Sequence, residues 1–99
     1  MYARVSTLEG PAEGISRSVT EARDEIVPQA AQLAGWLGYC LLVDRASGKQ
    51  VIVTFWESDD AMRRSEEAAD RLRQQTAETG ADEIRAVERF EVALYGFPA

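Results

Sequence analysis

The chain has 99 residues, of which 45% are hydrophobic and 28% charged, and its formal net charge is −6. That length makes one domain, residues 1–99, with a modest core, and the composition is globular rather than disordered. There are 10 Arg and one Lys, interleaved with Asp and Glu, which speaks against nucleic acid and against anionic membrane as partners.

The longest apolar run, Trp36 to Val43, has 8 residues, well short of the roughly 20 that cross a bilayer. The opening "MYARVSTLEG" carries no apolar leader core, so the expectation is a cytoplasmic protein. The chain has no His and no Asn. Ser-His-Asp and Cys-His catalysis, His-ligated haem and ordinary His-rich zinc sites are therefore excluded. Neither GxGxxG nor GxxxxGK[ST] occurs, so no phosphate loop is present. No cofactor and no metal is expected. The lone cysteine, Cys40 in "GYCLLV", reads as a small buried hydrophobe.

In chain order, Tyr2 to Leu8 has a strand pattern of mixed polarity, broken by "EGPAEG". Pro11 suits the first turn of a helix. Ile15, Val19, Ala22, Ile26, Ala30 and Leu33 follow at spacings of 4, 3, 4, 4 and 3, one face of an amphipathic helix. Pro28 predicts a kink or split after Val27, and Gly35 ends the helix.

Trp36 to Asp44 is an apolar strand, "RASG" a tight turn with Gly48 free to turn left-handed, and Lys49 to Glu57 the returning strand. Ser58 caps a second helix, with Asp59 and Asp60 in its first turn. Asp59–Arg63, Asp60–Arg64 and Glu67–Arg71 are i,i+4 pairs with the acid first. Met62, Ser65, Ala69, Leu72 and Thr76 form a thin inward stripe, and Gly80 ends the helix. Asp82 to Tyr95 alternates as a last strand, with Ile84, Ala86, Phe90, Val92 and Leu94 on one side.

The order strand-helix-strand, twice, predicts an α+β, ferredoxin-like βαββαβ fold: a four-stranded antiparallel sheet with two helices on one face. Its other face should then be polar, by alternation. Yet "WLGYCLLV" and "VIVTFW" are apolar at both parities. Either Val51, Val53 and Phe55 or Ile52, Thr54 and Trp56 lie on the uncovered side, in a patch larger than monomers usually expose. The simplest cover is a second copy, giving a homodimer joined through its sheet faces.

The segments "ARVSTLEG", "AGWLGYCLLVDRASGK" and, most specifically, "VTFWESDDAM" resemble the dimeric α/β-barrel superfamily, in particular its antibiotic-biosynthesis-monooxygenase-like branch. The resemblance covers almost the whole chain. It implies a site between sheet and helices. Quinone-forming and haem-degrading members use an Asn on the first strand and a Trp at the end of the third, with a His on the second helix of the haem enzymes. Trp56 matches the Trp, Ala3 falls at the Asn position, and the His has no counterpart. The resemblance thus argues against haem degradation. It also weakens cofactor-independent oxygenation, which needs a polar donor for developing negative charge.

Trp56 has two readings, core packing and ligand contact, which can coexist. If it faces the helices, Ile52 and Thr54 do too. Ala3 and Val5 on strand one, Ile15 and Val19 on helix one, and Met62, Ser65 and Ala69 on helix two would complete an apolar pocket. Arg4, in a predicted central strand, needs a partner if buried; Glu57, Glu88 and Glu91 are candidates, in a structural ion pair at the sheet edge or dimer seam, with anion recognition as the lesser alternative. Two functions remain: a pocket protein for an apolar or aromatic compound, and a non-catalytic dimeric binding or interaction module.

Overall fold

The computed structural model describes residues 1–98. Strands β1 (Tyr2–Glu9), β2 (Trp36–Asp44), β3 (Lys49–Trp56) and β4 (Glu83–Glu91) form one antiparallel sheet in the order β2-β3-β1-β4. Helices α1 (Ile15–Glu21) and α2 (Val27–Ala30) join β1 to β2; α3 (Asp59–Arg64) and α4 (Glu66–Gly80) join β3 to β4. This is the expected βαββαβ, ferredoxin-like architecture, with β1 and β3 in the middle of the sheet.

Local chemistry explains most boundaries. Between β2 and β3, Asp44 Oδ1 accepts the Ala46 N–H at 3.0 Å and Ser47 Oγ accepts the Lys49 N–H at 3.2 Å. Gly48 takes φ +83°, and a Cβ there would also collide with the Gly10 carbonyl oxygen. Ser58 Oγ caps α3 by accepting the Ala61 N–H at 3.0 Å. All three predicted i,i+4 ion pairs form on the outer side of α3 and α4.

Pro28 does not stop the first helix. Residues Ala22–Ile26 form a π turn that carries α1 into α2. Proline lacks an N–H and its ring crowds the carbonyl four residues back, here Asp24; a wider turn just ahead of it accommodates both. The inward line runs through Ile15, Ser18, Ala22, Ile26 and Ala30. Ser18 takes the inward place that the apolar spacing assigned to Val19, which is only half-buried.

The second helix breaks at Ser65. Arg4 Nη2 donates to the Met62 carbonyl at 2.6 Å, and Ser65 Oγ donates to the same oxygen at 2.7 Å. In an unbroken helix that carbonyl would receive the Glu66 N–H. At the far end Gly80 is the last helical residue and Ala81, not glycine, takes the left-handed conformation at φ +55°. Gly80 is there for space: a Cβ would collide with the Asp82 carboxylate and lie 2.8 Å from Ser18 Oγ.

The last strand ends at Glu91, and its alternation changes phase. Thr7 pairs with Ala86 but Leu8 with Ile84, leaving Arg85 as a bulge. Ile84 therefore packs on the core of Leu8, Ile52 and Ala77, while Ala86 and Phe90 lie across from Thr7 and Ala3 on the opposite face.

Candidate functional site

The core residue Leu8 orients β1, and period two then carries Ser6 and Arg4 to the same, helix-facing side. Their register partners on β3 are Gln50, Ile52 and Thr54, with Trp56 next in line. On β2, Tyr39 pairs with Thr54 and Leu41 with Ile52. So Trp56, Ile52 and Thr54 face the helices together, one of the two arrangements the sequence left open.

Ala3 and Val5 do not join them. They pair with Phe55 and Val53 on the outer face of the sheet. The error is one of parity. Because both faces are apolar, the pattern A-R-V-S-T-L reads as inward at Ala3 and Val5; the position of Leu8 reverses it. The outer face carries Ala3, Val5, Val51, Val53, Phe55, Leu42 and Phe90, which answers which of the two β3 sets lacks helix cover. Cys40 lies there too, half-buried rather than in the core.

Between sheet and helices is a cavity of about 30 Å³. Ile52, Thr54, Trp56 and Ala69 line it, from among the predicted residues, together with Arg4, Ser6, Ile26, Ala30, Leu33, Tyr39, Leu72, Arg73 and Thr76. Ile15 and Met62 are buried but do not line it, Val19 lines a separate groove with Tyr39 and Leu41, and Ser65 is also outside the lining but accepts a bond from Arg4.

Arg4 organises the site; the sequence placed it in a central strand but misassigned the partner and location of its ion pair. It is 2% exposed, in a central strand rather than at an edge or seam. Its partner is Glu66: Nη2 and Nε reach Glu66 Oε1 at 2.7 and 3.1 Å. Glu57, Glu88 and Glu91 do not pair with it. Arg89 closes the other side of the same carboxylate, at 2.7 Å from Nε to Oε1 and 2.5 Å from Nη2 to Oε2. The bonds from Arg89 and then Arg4 hold the Glu66 carboxyl down at about 2. Burial pulls the Arg4 guanidinium below its ordinary range, against the opposing pull of Glu66.

The Arg4 Cζ sits 5.4 Å from the centroid of the Trp56 ring, a cation–π contact. Trp56 is 1% exposed, and its Nε1–H donates to Thr54 Oγ1 at 3.0 Å. Its indole is thus packed and its polar atom satisfied. Other polar atoms are not: Arg4 Nη1, Arg73 Nε and the Tyr39 hydroxyl are buried without a partner. Burial pushes the Tyr39 phenol up to about 12, so it stays a proton donor at neutral pH. Sequence reasoning missed Arg73 because it sits in a helix rich in surface arginines; its place three residues before Thr76, at inward spacing, was the available signal.

No protein-family model matches the chain. Among curated proteins it is 34% identical to two uncharacterised proteins of Mycobacterium tuberculosis: Rv2557 over 93 residues and Rv2558 over 94. These alignments take in 94% and 95% of this chain but only 41% and 39% of the relatives, so the chain spans about two fifths of their length. Among solved structures, the monooxygenase ActVA-Orf6 of Streptomyces coelicolor, in complex with Nanaomycin D, matches with TM-score 0.67 and 17% identity over 99% of this chain and 92% of that one. The cofactor-independent oxygenase SnoaB of Streptomyces nogalater matches with TM-score 0.65 and 21% identity, over 95% and 94%. A dimeric ferredoxin-like protein from an uncultured marine organism matches with TM-score 0.69 and 10% identity, over 99% and 100%.

The fold is that of the antibiotic-biosynthesis-monooxygenase-like proteins. Tyr2, Arg4, Ser6 and Leu8 of β1 share the face of Trp56, and Arg4 is the buried cation among them, whereas Ala3 lies on the opposite face.

Proposed function

We propose that the protein is a small-molecule pocket protein that takes an apolar or aromatic compound between sheet and helices near Trp56, and that it works as a homodimer joined through its outer sheet faces. The observation that carries the pocket is the cavity itself: mostly apolar, walled by Trp56, with a few buried polar atoms on its lining residues. The fold is shared with oxygenases, one of them in complex with Nanaomycin D.

At about 30 Å³ the cavity holds one end of a ligand, not a whole aromatic compound. The remainder has a route. Leu33 and Leu72 line both the cavity and a surface groove with Gln29, Gln32, Ala68, Arg71 and Gln75. These two leucines stand between the two spaces, and their rotation is the proposed way in. The oxygenase-like mechanism is not part of the proposal, because the Trp56 N–H is already bonded and there is no Asn or His. The small volume also favours a second reading, a non-catalytic dimeric binding or interaction module.

Tryptophan fluorescence titrated with aromatic polyketides, quinones and haem separates the two. Saturable quenching that survives Trp36→Phe is expected for the pocket protein. No quenching by any of them leaves the module. Oxygen uptake with a bound quinol would establish turnover.

A further inference from the structure

The cavity is apolar over most of its wall, yet it keeps two guanidiniums out of water. Arg4 is 2% and Arg73 8% exposed. Burying a cation is unfavourable unless each N–H finds an acceptor. Arg4 spends Nε and Nη2 on Glu66, Met62 and Ser65, and Arg73 spends Nη2 on Asp70 at 2.9 Å. Arg4 Nη1 and Arg73 Nε are left over, and both residues line the cavity. The Tyr39 hydroxyl is a third buried, unpartnered group on a residue that lines the same cavity.

The nearby carboxylates do not answer these donors. Glu66 is held by Arg4 and Arg89, and Asp70 points to solvent at 57% exposure beyond its bond to Arg73. Neither lines the cavity, and nor does Glu21, the acid felt by Tyr39. Three guanidiniums, from Arg4, Arg73 and Arg89, thus share two carboxylates, from Glu66 and Asp70. Arg89, the third, is 42% exposed and outside the cavity; on the cavity side the shortage is of acceptors, for Arg4 Nη1 and Arg73 Nε.

We propose that the compound taken by this pocket is an acid, whose carboxylate enters the cavity and accepts hydrogen bonds from Arg4 Nη1, Arg73 Nε and the Tyr39 hydroxyl. The proposal rests on the pocket reading and specifies its ligand class. The apolar wall of Ile26, Ala30 and Ile52 suits a hydrocarbon body behind the carboxylate. Arg4 is a positioning residue for helix α3 as well, since it occupies the Met62 carbonyl, so Arg73 and Tyr39 are the cleaner places to test the site.

The test is calorimetric titration of the full chain with 1-naphthoate and with its neutral isostere 1-naphthamide. The acid is expected to bind about tenfold or more tighter than the amide, the scale of one or two charge-assisted bonds. Arg73→Gln should cut that preference severalfold, read as the ratio of acid to amide affinity in the same variant. Tyr39→Phe, which leaves no buried group unpaired, should reduce it by a smaller factor. Equal binding of acid and amide overturns the inference and leaves the pocket reading standing. Binding of neither overturns both. A preference that survives both Arg73→Gln and Tyr39→Phe overturns the assignment to these donors.

Discussion

Trp56 and Arg4 act as a unit. The indole is fully buried, bonded to Thr54 and stacked by a guanidinium that also spans from β1 to the break between α3 and α4. Trp56→Ala should destabilise the fold by about 3–5 kcal/mol, measured by urea denaturation, whereas Trp56→Phe should retain most of the stability. Glu66 gives a pH signature. Its carboxyl lies at about 2 in the folded protein against the usual 4.5, so the folded state holds fewer protons than the unfolded one between those values. The stabilisation is fully present above about 4.5 and is lost as pH falls towards about 2. The stability gap between the wild type and Glu66→Gln should therefore narrow as pH is lowered through that window. A gap that stays constant would show that Arg4 and Arg89 do not set the ionisation of Glu66.

Helix α4 ends by an unusual division of labour between neighbours. Gly80 needs no positive φ but has no room for a methyl group, and Ala81 has room but a left-handed backbone. Substitutions at the two positions should have opposite signs. Gly80→Ala should lower stability by about 1–2 kcal/mol through overpacking, net of the better helix propensity. Ala81→Gly should raise it by up to about 1 kcal/mol by relieving the left-handed strain. Thermal denaturation of the pair measures both. The interruptions elsewhere have equally specific causes: the π turn accommodates Pro28, and the break at Ser65 accommodates Arg4. Proline is visible in a sequence, so the first was half expected. The second depends on an arginine that lies 58 positions from the carbonyl it occupies.

The assembled sheet leaves one side without helices. Leu42 is 52% and Phe90 49% exposed there. Tyr95 reaches back to the Phe55 ring, edge-on at 6.2 Å, but remains half exposed itself, so the tail covers only one corner. No helix among the described residues is long and apolar enough to cross a membrane. A second copy is the proposed cover. Light scattering at micromolar concentration should give a dimer mass. Val53→Asp, at the centre of this face between Val5 and Cys40, should give a folded monomer. A monomeric wild type would remove the obligate dimer.

Strand and helix order, the Ser58 cap, the "RASG" turn and the surface ion pairs all depend on neighbours within a few residues, and all were legible in the sequence. So was Trp56 as the residue to follow. The lining of the cavity was not. A strand's period of two tells which residues share a side, but not which side the helices will cover, and here both sides of the central strands are apolar. That choice rests on Leu8 packing with Ile52 and Ala77, a contact between β1, β3 and α4. It turned Ala3 and Val5 outward and Arg4 inward, beneath Trp56. The sequence alone was enough for a two-faced sheet with a tryptophan at its rim. Long-range packing was needed to set a buried arginine beside that tryptophan, because only the folded chain brings Glu66 within its reach.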